Sequence, residues 1–205
     1  MLVSREHRFL FIHVQKTGGS AIARALGDAM PDLDHVPGSK HLRLAPAIEQ
    51  HPELAGFFTM GFVRNPWERF HSWHSMIMRR RDGARDGSYD AELFARNAFW
   101  QRVAQDHPDF EDFVLEGIRR VPRLRVPQVD YLVAPGKRAD FIGRTERLDA
   151  DLERGLAQAG LPAPARVERT NAGPVADYRE HYTPAMRDRV AQFAARDIDE
   201  FGYTF

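Results

Sequence analysis

Cysteine is absent from the 205 residues. That excludes disulfides, thiol catalysis and cysteine-bound zinc, and leaves the redox compartment open. Net charge is absent too, because 29 Lys+Arg offset 29 Asp+Glu. Bulk attraction to nucleic acid or to an anionic membrane is therefore not expected, whereas a local basic site is still allowed. No apolar run approaches the roughly 18 residues of a membrane span. The opening MLVSREHRFLFIH carries charges where a signal sequence would need its apolar stretch. Repeats and low-complexity segments are also missing. These absences lead us to expect a soluble, cytoplasmic protein with no nucleic-acid partner and no membrane span. They say nothing about oligomeric state.

What is present suits one α/β domain over residues 1–205, long enough to bury a substantial core. Hydrophobic residues make up 43% and charged residues 28%, an ordinary globular balance. Phe9–Val14 reads as a buried parallel strand broken by a glycine loop, with a helix over Ser20–Ala29. A loop is expected over Asp32–Lys40, a short helix over Leu42–His51 and a second core strand over Phe57–Val63. Asn65 and Pro66 mark the start of a helix that should end in the polar, mobile stretch Arg81–Ser88. Further helices are expected over Ala91–Gln105 and Phe110–Arg119, the second started by Pro108 and Asp109. Arg120–Arg138 reads as a surface excursion with a short strand at Val129–Val133. A third core strand (Asp140–Gly143), a helix (Leu148–Ala159) and a loop (Pro162–Pro174) follow. Thr183 and Pro184 start a last helix with Met186, Val190, Phe193 and Phe201 on its packed face and Gly202 at its end. This alternation predicts an α/β fold: a three-layer domain with a central, mainly parallel sheet.

The stretch FLFIHVQKTGGSAIARAL, Phe9 to Leu26, is a strand, a tight glycine turn and a helix start. Such a turn gathers backbone N–H groups around one point, and the helix dipole adds positive potential there. Gly18 and Gly19 allow the close turn, Ser20 adds a hydroxyl and Lys16 a mobile cation. A nucleoside-triphosphatase loop has its lysine after the glycines and uses the next Ser or Thr on magnesium. Here the order is Lys16-Thr17-Gly18-Gly19-Ser20. The second core strand ends in Val63-Arg64, where a triphosphatase would offer an acidic metal ligand. A cationic, metal-free phosphate-like site is the expectation; a plain strand-to-helix turn is the bland alternative.

Together, FIHVQKTGGSAI and FVRNPWERFHSWHSM resemble the sulfotransferases that use 3'-phosphoadenosine 5'-phosphosulfate (PAPS), in particular the carbohydrate-sulfotransferase branch. DFIGRTERLDADL and YTPAMRDRVAQFAARDIDEFGYTF are similar to the C-terminal half of that family. The resemblance implies that Lys16, Thr17, Gly18, Gly19, Ser20 and Ala21 form the 5'-phosphosulfate loop. It implies that Arg64 at a strand end and Ser72 eight residues on bind the 3'-phosphate, and that Arg144 lies near the donor. Arginine offers a fork that lysine lacks. Ser72 lies seven residues beyond Asn65, close to two helical turns, which sets it on the helix face that Arg64 approaches. The alternative for Arg64 is an ion pair with Glu68 or Asp82, and for Ser72 an ordinary polar helix position.

The implied reaction moves a sulfuryl group from PAPS to a hydroxyl of a saccharide, lipid headgroup or small metabolite, by in-line displacement and with no metal. By analogy with phosphoryl transfer, Lys16 would offset charge on the bridging oxygen of the leaving 5'-phosphate. His41, in KHLRLAPAI, is the first choice for the base, since histidine titrates near neutrality. His35 and Glu68 stay open as alternatives, and a capping role is the bland reading of His41. The other readings of the chain are a small-molecule P-loop kinase and an inactive nucleotide-binding module.

Several features read as structure. Trp67, Phe70 and Trp73 form a stripe at helical spacing, read as core ahead of an adenine or sugar platform. His71 and His74 lack the acidic partners of a metal site; one is expected exposed and the other packed against the first loop. Arg79-Arg80-Arg81 reads as a solvated helix end before a contact for an anionic acceptor. Asn171, in RTNAG, is weakly similar to a family residue over the donor. The acceptor pocket is expected from Asp32–His41, Arg79–Asp90 and Arg120–Arg138, none of which carries a substrate signature.

Overall fold

In the computed structural model, which describes residues 1–162 and 177–205, seven short strands alternate with helices. In chain order, β1 is Leu2–Ser4, β2 Phe9–Ile12, α1 Gly19–Ala29, β3 Asp34–His35, α2 Leu44–Gln50 and β4 Phe58–Val63. Then come α3 Pro66–Asp86, α4 Ala91–Ala95, α5 Ala98–Asp106, α6 Phe110–Asp112 and α7 Ile118–Arg120. The remainder is β5 Val133–Ala134, β6 Lys137–Arg138, β7 Phe141–Arg144, α8 Leu148–Gln158, α9 Pro184–Phe193 and α10 Ala195–Phe201. The described residues form two compact units, 1–64 with 128–162 and 65–127 with 177–205.

The first unit is built on a five-stranded sheet in the order β3-β1-β2-β4-β7. The three core strands β2, β4 and β7 run parallel, and β1 and β3 add antiparallel pairs at one edge. All four residues of β2 are buried, as a strand covered on both faces requires. On one face Phe9, Phe11, Met60, Phe62 and Phe141 meet Ile22 and Leu26 of α1 and Leu148, Leu152 and Leu156 of α8. Gly155 permits that closeness: a Cβ there would lie 2.7 Å from Met60 Sδ and from the Phe141 ring. On the other face Leu132 lies over Gly61, its Cδ2 2.3 Å from where a Cβ would stand. The fold is α/β with a mixed, mainly parallel central sheet flanked by helices.

The second unit is helical. Its core is the stripe Trp67, Phe70 and Trp73, each no more than 4% exposed. Trp67 Nε1 donates to the Arg187 carbonyl at 2.9 Å, and Asn65 Nδ2 to the Thr204 carbonyl at 2.8 Å. No ring of the stripe is left open as a platform. Asn65 caps α3 as expected, its side chain accepting from Trp67 N.

Several expected boundaries move. The sequence reading placed no strand at Leu2–Ser4 or Asp34–His35, since such short edges gain their form only from the partner strand. The helix at Asn65 does end inside the expected stretch Arg81–Ser88. It runs to Asp86, with Gly87 (φ +83°) as its left-handed cap. Gly83 lies inside the helix because the chain folds back on it: Tyr89 N donates to its carbonyl at 2.9 Å. Arg79 to Arg81 are thus not a helix end. Arg80 stacks over Trp100 at 4.2 Å and Tyr89 at 5.3 Å, and Arg81 pairs with Asp82 at 2.8 Å. The expected helix over Ala91–Gln105 is two, because Asn97 caps a new start by accepting from Trp100 N. Asp109 caps α6 as expected, and a π turn at Phe113–Gly117 joins it to α7. The last helix breaks at Ala194 into α9 and α10, started by the Thr183 cap and ended by left-handed Gly202. Arg120–Arg138 is not a surface excursion: Val121, Leu124, Gln128, Val129, Tyr131 and Leu132 are buried. The strand expected at Val129–Val133 is a 3₁₀ turn at Val129–Tyr131 followed by the β5–β6 hairpin. Most of the expected loop at Pro162–Pro174, and with it Asn171, lies outside the described residues.

Candidate active site

The parallel strands β2, β4 and β7 share one carboxyl edge, the place where open α/β sheets hold ligands. The loop after β2, Arg64 just past β4 and Arg144 at the end of β7 all lie along it. The loop is tightly wound. Lys16 adopts φ +69° and Gly18 φ +76°. A left-handed lysine costs about 1 kcal/mol or more and is the kind of strain kept at functional turns.

Glycine is needed at both following positions. A Cβ at Gly18 would stand 2.4 Å from Leu148 Cδ1, and one at Gly19 2.3 Å from the His13 ring. Thr17, buried, donates Oγ1 to the Val14 carbonyl at 3.0 Å and so closes the turn from within. Ser20 is exposed on the first turn of α1. Ala21 N–H donates to the Gly18 carbonyl at 2.9 Å. The amides directed outward from this helix start are those ahead of Ala21.

Arg64 reaches the loop, its guanidinium donating to the Lys16 carbonyl at 3.3 Å. Arg144 pairs in register with Val63, its neighbour on the sheet. Its N–H donates to the buried carboxylate of Asp151 at 2.8 Å, and Thr145 Oγ1 donates to the Val63 carbonyl at 3.1 Å. The two arginines therefore end adjacent strands with main chains fixed by hydrogen bonds. Gln128, which the sequence reading passed over, holds Arg64 in this way: Oε1 accepts Arg64 N–H at 2.9 Å and Nε2 donates to the Arg64 carbonyl at 2.8 Å.

His41 is tied to the same edge. Its Nδ1 lies 2.9 Å from the His13 carbonyl, and its ring packs edge-on to the His13 ring at 4.7 Å. A carbonyl only accepts, so Nδ1 carries the proton and Nε2 is the basic nitrogen. His13, also missed from sequence, touches both His41 and Gly19. Burial, followed by the charges of His41 and Lys40, pushes its pKa down from 6.5 to about 2, so the imidazole is neutral. His35 lies elsewhere, on the outer strand β3. It lines a cavity of about 380 Å³ with Arg5, Asp32, Asp34, Pro37 and His51.

The first unit thus gathers Lys16, Thr17, Gly18, Gly19, Ser20, Ala21, His41, Arg64 and Arg144. Ser72 and Glu68 belong to α3 in the second unit. Asp82, offered as an ion-pair partner for Arg64, is held by Arg81 and Arg85. His71 stacks on His181 at 4.7 Å, and the packed ring is His74, whose Nε2 lies 3.1 Å from the Pro108 carbonyl between Phe110 and Phe113. No helix among the described residues is long and apolar enough to cross a membrane.

The fold and this edge define an α/β protein whose parallel strand ends present a lysine loop and two arginines. The model of the sulfotransferase family matches residues 1–204, and the chain belongs to that family. It is similar to carbohydrate sulfotransferase 14 of Danio rerio, 28% identical over 204 residues that cover 89% of this chain and 54% of the relative. The chain thus spans about half the length of that protein. No solved structure matches it.

Proposed function

We propose that this chain transfers a sulfuryl group from PAPS to an acceptor hydroxyl by in-line displacement, as one sulfotransferase domain over residues 1–205. The observation that carries the reading is the contact of Arg64 with the carbonyl of Lys16. It sets a fork-shaped cation beside a left-handed lysine loop at the strand position where a triphosphatase would have an acidic metal ligand. In this reading the Thr17–Ser20 turn cradles the phosphosulfate, with Ala21 closing it. Lys16 neutralises the bridging oxygen as the 5'-phosphate leaves. Arg64 forks the 3'-phosphate, and Arg144 supports the donor from the next strand end. The assignment of Ser72 to that phosphate rests on its eight-residue spacing from Arg64.

His41 takes the acceptor proton at Nε2, with Nδ1 anchored on the His13 carbonyl. That anchor favours it over His35. The acceptor is proposed to be a saccharide ahead of a lipid headgroup or small metabolite, on the likeness to a protein named for carbohydrates. No metal enters these steps.

Adenosine 3',5'-bisphosphate tests the donor assignment. At about a hundred times its dissociation constant it should add roughly 2.7 kcal/mol to stability, read as a rise in Tm. AMP should do much less, and Arg64→Ala should remove most of the difference. Equal shifts with AMP, or a larger shift with ATP and magnesium, would overturn the reading. Transfer of label from PAPS into an extract should survive EDTA.

A further inference from the structure

Gln128 is fully buried, at 0% exposure, and comes from a segment 64 residues away from the arginine it holds. Its amide meets the main chain of Arg64 at both ends, at 2.9 Å and 2.8 Å. These two bonds reproduce what a neighbouring strand would give. They fall where the ladder of β4 runs out, since Val63 is the last residue of β4 paired with β7. Arg64 is therefore fixed as if it were still in the sheet. The clamp itself is firm: Val129, Tyr131 and Leu132 are buried just after it, and Leu132 lies over Gly61 of β4.

We propose that Gln128 is a positioning residue for the donor's 3'-phosphate, acting through the main chain of Arg64; this rests on the donor reading above. A swing of roughly 10° at the Cα of an arginine carries a guanidinium about 6 Å away through about 1 Å. A two-point fork on a phosphate loses its fit at that displacement. A side chain that pins both the N–H and the carbonyl of the pivot removes the swing. The guanidinium, which donates to the Lys16 carbonyl, then needs to reset only its own torsions when the phosphate arrives. A role limited to closing the sheet would affect stability and leave the choice of ligand untouched.

The test is the ratio of dissociation constants for AMP and adenosine 3',5'-bisphosphate, measured on the full chain by calorimetry. Gln128→Met keeps the length and removes both bonds. It should cut the preference for the bisphosphate by about tenfold, the size of one to two lost hydrogen bonds, with AMP affinity changed less than about threefold. Gln128→Glu supplies a second readout. Ionised, its carboxylate still accepts from Arg64 N–H but faces the Arg64 carbonyl with a like charge. Protonated, it accepts and donates as the amide does. Its preference, taken relative to the native chain at each pH, should therefore be low at roughly pH 8 and recover toward pH 5.

A native preference that survives Gln128→Met unchanged overturns the proposal alone. No preference in the native chain overturns the donor reading and the proposal with it. Should the methionine variant not fold, a flat pH course for the glutamate variant overturns the proposal.

Discussion

Both units lay arginines on rings, as Arg8 over Phe57 at 5.0 Å and Arg154 over Phe141 at 5.8 Å show for the sheet unit, but the sheet unit also sets two arginines at its strand ends. In the helical unit, guanidinium groups lie on aromatic faces: Arg69 over Trp73 at 4.8 Å, Arg80 over Trp100 at 4.2 Å, Arg123 over Phe99 at 4.9 Å and Arg179 over Tyr178 at 4.8 Å. There the side chain serves as packing. In the sheet unit, Arg64 and Arg144 end adjacent strands, and it is their main chains that are fixed, by Gln128 and Asp151. The Arg64 head group lies against the lysine loop, donating to the Lys16 carbonyl. In the proposed function it is these strand-end cations, and not the ones stacked on rings, that meet the ligand. If the proposed function holds, the contrast separates binding from structural arginines in a chain whose total charge is zero.

The largest effect that would sharpen this contrast is at the loop. Lys16→Ala should lower turnover by a factor on the order of a hundred to a thousand, the loss of one donor to the transition state, while donor affinity weakens less. Steady-state transfer from labelled PAPS measures it, and turnover within about twofold of the native enzyme would remove Lys16 from the chemistry.

His41→Ala should lower turnover about a hundredfold with donor affinity retained, and the acidic limb of the pH–rate profile should vanish. A limb that persists moves the base to Glu68 or His35.

His13 gives a smaller effect with a defined sign. It stays neutral in the folded protein down to about pH 2, whereas the unfolded chain protonates it near 6.5. Below 6.5 the unfolded state binds the extra proton, so stability falls as pH drops. The slope from this group is about 1.4 kcal/mol per pH unit. Urea melts between roughly pH 6.5 and 4.5 should be flatter by that amount in His13→Asn. Identical slopes would mean that the site accommodates the charge.

The smallest effect is Arg80→Ala, which should cost about 1 kcal/mol of stability through the lost ring contacts and leave the bisphosphate shift unchanged. A lost shift would break the distinction between stacked and strand-end arginines.

The sheet edge was legible where local chemistry sets it. The apolar run ending in Lys16-Thr17-Gly18-Gly19 announces a strand, a tight turn and a helix, and Asn65-Pro66 announces the next helix. What stayed hidden depends on partners distant in sequence. Gln128 stands alone in a basic, proline-rich stretch, and only the contact with Arg64 shows its use; the apolar residues Val129, Tyr131 and Leu132 just beyond it were the available signal. β1 and β3 are strands only by pairing. At the end of α3 the stretch Arg81–Ser88 announces the stop, and the structure sets it at Gly87, because the fold-back of Tyr89 leaves Gly83 inside the helix.

The Gln128 clamp also bears on the order in which the chain assembles. β2 and β4 can pair once residue 63 has been made, and the hydrogen bonds from Thr17 to Val14 and from Ala21 to Gly18 that wind the glycine turn are local. Arg64 must wait for a segment 64 residues further on, whose capture carries the entropy of a long loop. During synthesis, nascent chains that end short of Gln128 should hold the turn without the fixed arginine. In refolding, capture of the proposed nucleotide should lag behind helix formation, making its binding a timer for the arrival of the Gln128 segment on the sheet.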